Sequence, residues 1–137
     1  MAGKITGGCA CGAVRYEAAA DPVAMLNCHC RDCQRATGSA YSASVVVPKA
    51  AVAMKGELRS HEAVSDSGHA IWRSFCPLCG SPIAIDLARI PDVLALQAGS
   101  LDDPSLHTPS VEVFTASAQP WDHMLPGTRK LPRGSAG

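Results

Sequence analysis

Seven cysteines fall in three short clusters: Cys9-Ala10-Cys11, Cys28-His29-Cys30-Arg31-Asp32-Cys33 and Cys76-Pro77-Leu78-Cys79. The opening residues, MAGKITGGCACG, lack the apolar stretch of a secretory signal, so the expected compartment is the cytoplasm, where thiols stay reduced. Disulfides are not expected there, and seven is an odd number. Metal binding or thiol chemistry is the better expectation for such a set.

Cys9 and Cys11 are two apart, and residues two apart project to the same side of an extended chain, so both sulfurs can approach one ion. Two sulfurs leave a tetrahedral zinc shell half filled. Cys76 and Cys79 supply the missing pair in a Cys-x-x-Cys knuckle, followed by Gly80, which tolerates unusual backbone angles. Such knuckles aim backbone N–H groups at sulfur. Four thiolates around Zn²⁺ carry a charge of about −2 and close the shell, which marks a structural site.

Cys28, Cys30 and Cys33 differ. Cys30 and Cys33 are three apart, which a helical turn puts on one face, and Cys28 lies just before that turn. Three thiolates leave one tetrahedral position open, the mark of a catalytic zinc. The blander reading is a second structural site completed by a histidine or another side chain. His29 sits between two ligands and must point elsewhere if both bind, and His61, His69, His107 and His123 read as surface or hydrogen-bonded residues. Zinc held by three thiolates is a weak Lewis acid and a poor activator of water. It favours an incoming thiol, whose free pKa of ~8.5 it would lower, so a thiol meeting a carbon electrophile is the expected reaction class. Asp32 reads as capping or solvating the short helix, and Trp72 and Trp121 as packing residues.

The elements that must position these sulfurs are short. Val14–Ala18, Tyr41–Val47, Ile71–Phe75, Pro82–Leu87, Val93–Gln97 and Val111–Thr115 read as strands, and Val52–Lys55 with Leu58–Glu62 as a hairpin about Gly56-Glu57. Spacings of about ten residues, with ten Pro and twelve Gly in the chain, predict a mainly β fold. One short helix is expected at Arg31–Ala36, closed by Gly38. Pro104–Pro109 reads as a loop and Pro126–Gly137 as an extended or frayed tail. The 137 residues are read as a single domain, 1–137.

Twelve basic and twelve acidic residues give a net charge of zero, without the basic face of a nucleic-acid binder. No apolar run reaches the roughly 18 residues that span a membrane.

The order Gly7-Gly8-Cys9-Ala10-Cys11-Gly12, then Cys28-His29-Cys30-Arg31-Asp32-Cys33-Gln34-Arg35-Ala36-Thr37-Gly38, then Phe75-Cys76-Pro77-Leu78-Cys79-Gly80-Ser81 resembles the glutathione-dependent formaldehyde-activating enzyme family, whose domain centromere protein V shares. His107, Pro120-Trp121 and Leu125-Pro126 extend the resemblance towards the C-terminus. It implies a tent-like fold of antiparallel sheets stapled by zinc, with the helical turn near the open site. Cys9, Cys11, Cys76 and Cys79 would hold a structural zinc, and Cys28, Cys30 and Cys33 a catalytic one. The implied activity is a carbon–sulfur lyase reaction that adds glutathione to formaldehyde, giving S-(hydroxymethyl)glutathione. Arg31 and Arg35 stand as candidates to pair with the carboxylates of glutathione. The competing expectation is a non-catalytic zinc module that binds a protein partner.

Overall fold

Alternation along the strands decides which side of each is buried. In β2 (Arg15–Ala18), Tyr16 and Ala18 are buried while Arg15 and Glu17 face solvent. In β4 (Ser42–Pro48) the run Val45-Val46-Val47 is buried on both faces, as a strand in the middle of a sheet requires. A computed structural model of the chain describes residues 3–134. Its remaining elements are β1 (Ile5–Gly8), β3 (Ala24–Cys28), α1 (Arg31–Thr37), β5 (Val52–Lys55), β6 (Arg59–Val64), β7 (Ala70–Phe75), β8 (Pro82–Leu87), β9 (Val93–Gln97), β10 (Val111–Val113) and β11 (Arg129–Lys130). Among the described residues the fold is mainly β with one α-helix. None of the helices among them is long and apolar enough to cross a membrane.

Two sheets result. A three-stranded one runs β1-β2-β5, and an eight-stranded one runs β11-β10-β3-β4-β9-β8-β7-β6. Pairing is antiparallel except where β10 lies parallel to β3 and to β11. Ile5, Val14 and Tyr16 of the small sheet's side pack on Val45, Val47, Leu94 and Leu96 of the large sheet to form the core. The core packs one face of β4 and β9. Ser42, Ser44 and Gln97, at alternate positions, belong to the other face.

Three expectations need correction. Val52–Lys55 and Leu58–Glu62 do not form a hairpin: β5 pairs with β2 in the small sheet and β6 with β7 in the large one. Val52 and Met54 pack against the core, whereas β6 is exposed along nearly its whole length, so the two strands have different partners to satisfy. Gly56, at φ 97°, lies so close to Ala13 that a Cβ would collide with its carbonyl, and the chain passes there from one sheet to the other. Pro104–Leu106, inside the expected loop, forms a single 3₁₀ turn capped by Asp103. Of the two readings of the tail the extended one holds as far as Arg133: Arg129–Lys130 is a strand, Thr115 N–H donates to Leu131 O and Phe114 N–H to Arg133 O. Its last three residues, 135–137, lie outside the described residues. β1 and β3 were not expected, having two glycines in the one and a single central Leu-Asn pair without β-branching in the other.

Candidate metal centres

The first cysteine group is built from two turns. Cys9 through Gly12 form a tight turn after β1, in which Gly12 N–H donates to Cys9 O at 3.2 Å and Gly12 takes φ 82°. The sulfurs of Cys9 and Cys11 therefore meet across a turn, 3.6 Å apart, and not along an extended strand. Cys76 through Gly80 form the second turn, between β7 and β8, with Gly80 at φ 79° and its N–H on Cys76 O. Cys11 and Cys76 sulfurs lie 3.8 Å apart, and all four sulfurs lie within 4.8 Å of one another. Tetrahedral zinc with Zn–S bonds of about 2.3 Å needs sulfurs roughly 3.8 Å apart, so the four fit that ion.

Polar hydrogens already face these sulfurs. Val14 N–H donates to Cys9 Sγ at 3.2 Å and Leu78 N–H to Cys76 Sγ at 3.4 Å. The Ser81 hydroxyl lies 3.2 Å from Cys79 Sγ and accepts from Ala10 N–H at 3.0 Å, tying the two turns together. The Ser81 hydroxyl and N–H bring the Cys79 thiol down to about 5, and the Val14 N–H lowers that of Cys9.

The second group stands at the end of β3. Cys30 is the N-cap of α1, with extended backbone (φ −65°, ψ 155°), and its sulfur accepts from Cys33 N–H at 3.2 Å. The cap is thus a cysteine and not Asp32, which lies in the first turn. Gly38, at φ 69°, ends the helix and donates its N–H to Gln34 O. The sulfurs of Cys28, Cys30 and Cys33 lie within 4.8 Å of one another. Contacts from Cys28 and Cys33 hold the Cys30 thiol far below its usual value, and the same crowding pushes Cys28 far above. Three sulfurs so close cannot all ionise without a cation among them, which is the requirement a zinc ion would meet.

Two further structures border this group. Behind it, His29 is fully buried with Nε2 2.9 Å from Glu112 Oε1. Its Nδ1 lies 2.6 Å from Asp122 Oδ2, outside hydrogen-bond geometry. His29 thus points away from the sulfurs, as its place between two of them requires. Its N–H donates to Val113 O, and Gln34 Nε2 donates to His29 O and Ser117 O, so the chain beyond β10 grips the Cys28–Cys30 segment. In front, Cys28 pairs directly with Ser42 across β3 and β4, and the Ser42 hydroxyl donates to Gln97 Oε1 at 3.0 Å. Ser42 and Gln97 line a cleft of about 210 Å³ between α1 and the β7–β8 hairpin. Arg73 of β7 lines the same cleft and donates through Nη2 to Cys33 Sγ at 3.7 Å.

Residues 4–117 match the family described as glutathione-dependent formaldehyde-activating enzyme. The chain belongs to this family. No curated protein matches it in sequence. It is similar in fold to the crystal structure of a Rhodobacter sphaeroides protein, at 19% identity and a TM-score of 0.59, over 76% of this chain and 96% of that chain.

In this formaldehyde-activating family member the seven cysteines come together as four and three, and all are free thiols. Both groups are compatible with zinc. Of the other residues singled out in the sequence, Arg31 bonds Gln34 Oε1 and Arg35 is exposed on the helix. Trp72 donates to Glu62 Oε1 at 3.0 Å, while Trp121 is 63% exposed and is not the packing residue expected. His107 donates through Nε2–H to Asn27 Oδ1, 2.8 Å away, and burial lowers its pKa. Sequence reasoning missed Arg73, Gln97, Glu112 and Asp122. The signal for Asp122 lay beside Trp121 in the closing motif, and Arg73 carried none.

Proposed function

We propose that the protein is a zinc-dependent carbon–sulfur lyase that adds glutathione or a related thiol to formaldehyde or another small aldehyde, giving an S-hydroxymethyl adduct. Residues 1–137 act as one zinc-binding domain in this reading. Cys9, Cys11, Cys76 and Cys79 hold a structural zinc that staples the two turns; Cys28, Cys30 and Cys33 hold the catalytic one. An ion held by these three cysteines would offer the thiol a position and lower its pKa. Arg73, at 3.7 Å from Cys33, offsets the negative charge of the three thiolates. The β3 end and α1 fix where the thiol sits, so the aldehyde needs only to reach one face of it. The thiol sulfur forms a bond to the aldehyde carbon, the C=O π pair moves to oxygen, and the proton lost by the thiol ends on that oxygen through solvent. No oxidant or reductant is needed. The reading belongs to a reducing compartment such as the cytoplasm.

The observation that carries this reading is a group of three sulfurs within 4.8 Å of one another, with a guanidinium on one of them that also lines a neighbouring cleft. The test measures zinc content and the glutathione-dependent rate of adduct formation in the parent and in Cys30→Ala. Two zincs per chain in the parent, one in the variant, and a rate lost only in the variant are expected. A parent with two zincs that binds no thiol and forms no adduct with any aldehyde overturns the reading in favour of a non-catalytic module.

A further inference from the structure

The cleft beside the three sulfurs is too large for the aldehyde alone. A one-carbon aldehyde is not much bigger than a water, whose share of liquid volume is roughly 30 Å³, whereas the cleft measures about 210 Å³. Its walls are mostly apolar, with Phe75, Pro82 and Ile85 facing α1. Two donors on its lining lack acceptors. Gln97 is 8% exposed, its Oε1 is taken by Ser42, and its Nε2 has no hydrogen-bond partner among the described residues. Arg73 Nε is buried and equally unpartnered among them. Buried donors are ordinarily satisfied, and leaving one without an acceptor is costly, so two at one cleft call for an acceptor brought from outside. The charge of the lining narrows the choice. Arg73 is its one permanent cation among the described residues, and no acidic side chain is there to meet an ammonium group.

Resting on the reading of the three-cysteine site given above, we propose that this cleft binds a carboxylate carried on a short apolar arm, held by Arg73 and Gln97, as part of one of the two reactants. The carboxylate meets a guanidinium suited to planar, two-oxygen recognition, and the arm lies along Phe75 and Ile85. The rest of a larger zwitterionic substrate stays outside, since nothing in the lining pairs with an ammonium. Either the thiol or the aldehyde can bring such a group. In both cases the cleft sets specificity, because a reactant without the carboxylate leaves the donors unpaired.

The test titrates the zinc-loaded protein with pentanoate and its neutral twin pentanamide, for the parent, Arg73→Met, Arg73→Lys and Gln97→Leu. Pentanoate binding at least tenfold tighter than pentanamide is expected. Arg73→Met should erase the difference, Arg73→Lys should keep part of it, and Gln97→Leu should weaken pentanoate severalfold, with the zinc of the four-cysteine group and a cooperative thermal melt retained in each as the sign of intact folding. Equal binding of the twins by the parent, or an unchanged preference in Arg73→Met, overturns the proposal. Two arms identify the source: S-methylglutathione against its glycine amide, and adduct formation with formaldehyde against 4-oxobutanoate. A preference for the acid in either arm, lost in Arg73→Met, supports the site; no preference in both overturns it. Arg73-dependent pentanoate binding in a protein that forms no adduct would leave the carboxylate site standing and refute the reaction instead.

Discussion

The two cysteine groups are held in opposite ways. At the four-cysteine group most polar contacts to sulfur come from the local backbone: Val14 N–H is five residues from Cys9 and Leu78 N–H two from Cys76. At the three-cysteine group the single backbone contact to sulfur among the described residues is Cys33 N–H, and the surroundings are side chains far away in sequence. Arg73 stands 40 residues from Cys33, and Glu112 83 residues from His29. A group built from its own turns is indifferent to change elsewhere and suits a staple. A group whose environment arrives from distant strands has a tunable field, and suits chemistry.

The largest effect should come from breaking the staple. Cys76 is fully buried within the core, and its group joins the β1–β2 turn to the β7–β8 turn. If the four cysteines hold the structural zinc proposed above, Cys76→Ala removes a ligand of an ion whose binding free energy is folding free energy, so a loss on the order of 3 kcal/mol or more and a fall in Tm of roughly 10 °C are expected. Cys30→Ala, measured in the same melt, should cost much less. If the two variants melt alike, the division into staple and reactive site is wrong.

Next in size is the shell behind the reactive group. His29→Gln and Asp122→Asn remove partners that orient the Cys28–Cys30 segment without touching a sulfur. Changes one layer out from a metal typically cost about 10- to 100-fold in affinity. On the two-zinc reading proposed above, that loss should appear for one zinc in a chelator competition while the other is unaffected. Loss of both zincs together would mean that His29 serves the fold as a whole.

How much of this was legible in the chain follows from the same contrast. Cysteine spacing is local information, and the grouping of seven sulfurs as four and three could be read from it, as could the helix ended by Gly38. The strands β8 and β9 stood out because Ile83, Ile85, Leu94 and Leu96 alternate with turn residues close by. Strand partners did not. Nothing in Val52–Lys55 says that it will pair with Arg15–Ala18 and not with the next strand, because pairing depends on which apolar face finds the core first. Arg73, Gln97 and Asp122 escaped for the same reason. Their roles exist only once β9 lies in register beside β4 with β8 and β7 following it in the sheet, and once the chain beyond β10 folds back over β3. Glu112 was hidden by its place inside a three-residue strand, where a lone acid reads as solvent-facing, yet it is fully buried.

The smallest effect concerns what braces the staple from outside. Asp102 accepts from Arg15 Nη1 at 2.9 Å and from Thr6 Oγ1 at 2.7 Å, linking the 3₁₀ turn after β9 to β1 and β2. The Arg15 guanidinium, and then the Thr6 hydroxyl, bring the Asp102 carboxyl down to about 2 from an ordinary 3.8. A carboxyl depressed in the folded state stabilises it above its unfolded value, and that contribution fades as pH falls from 3.8 towards 2. The three side chains are exposed, so screening keeps the contribution small and salt-dependent. Asp102→Asn should therefore lower stability slightly at neutral pH and flatten its acid dependence only between about 2 and 4. The measurement is a set of denaturant titrations of the zinc-free parent and variant across that range, where protons displace zinc from thiolates in any case, at low and high salt. Curves that stay parallel down to the lowest pH would show that Arg15 and Asp102 brace nothing, and that the two turns rely on their sulfurs and on Ser81 alone.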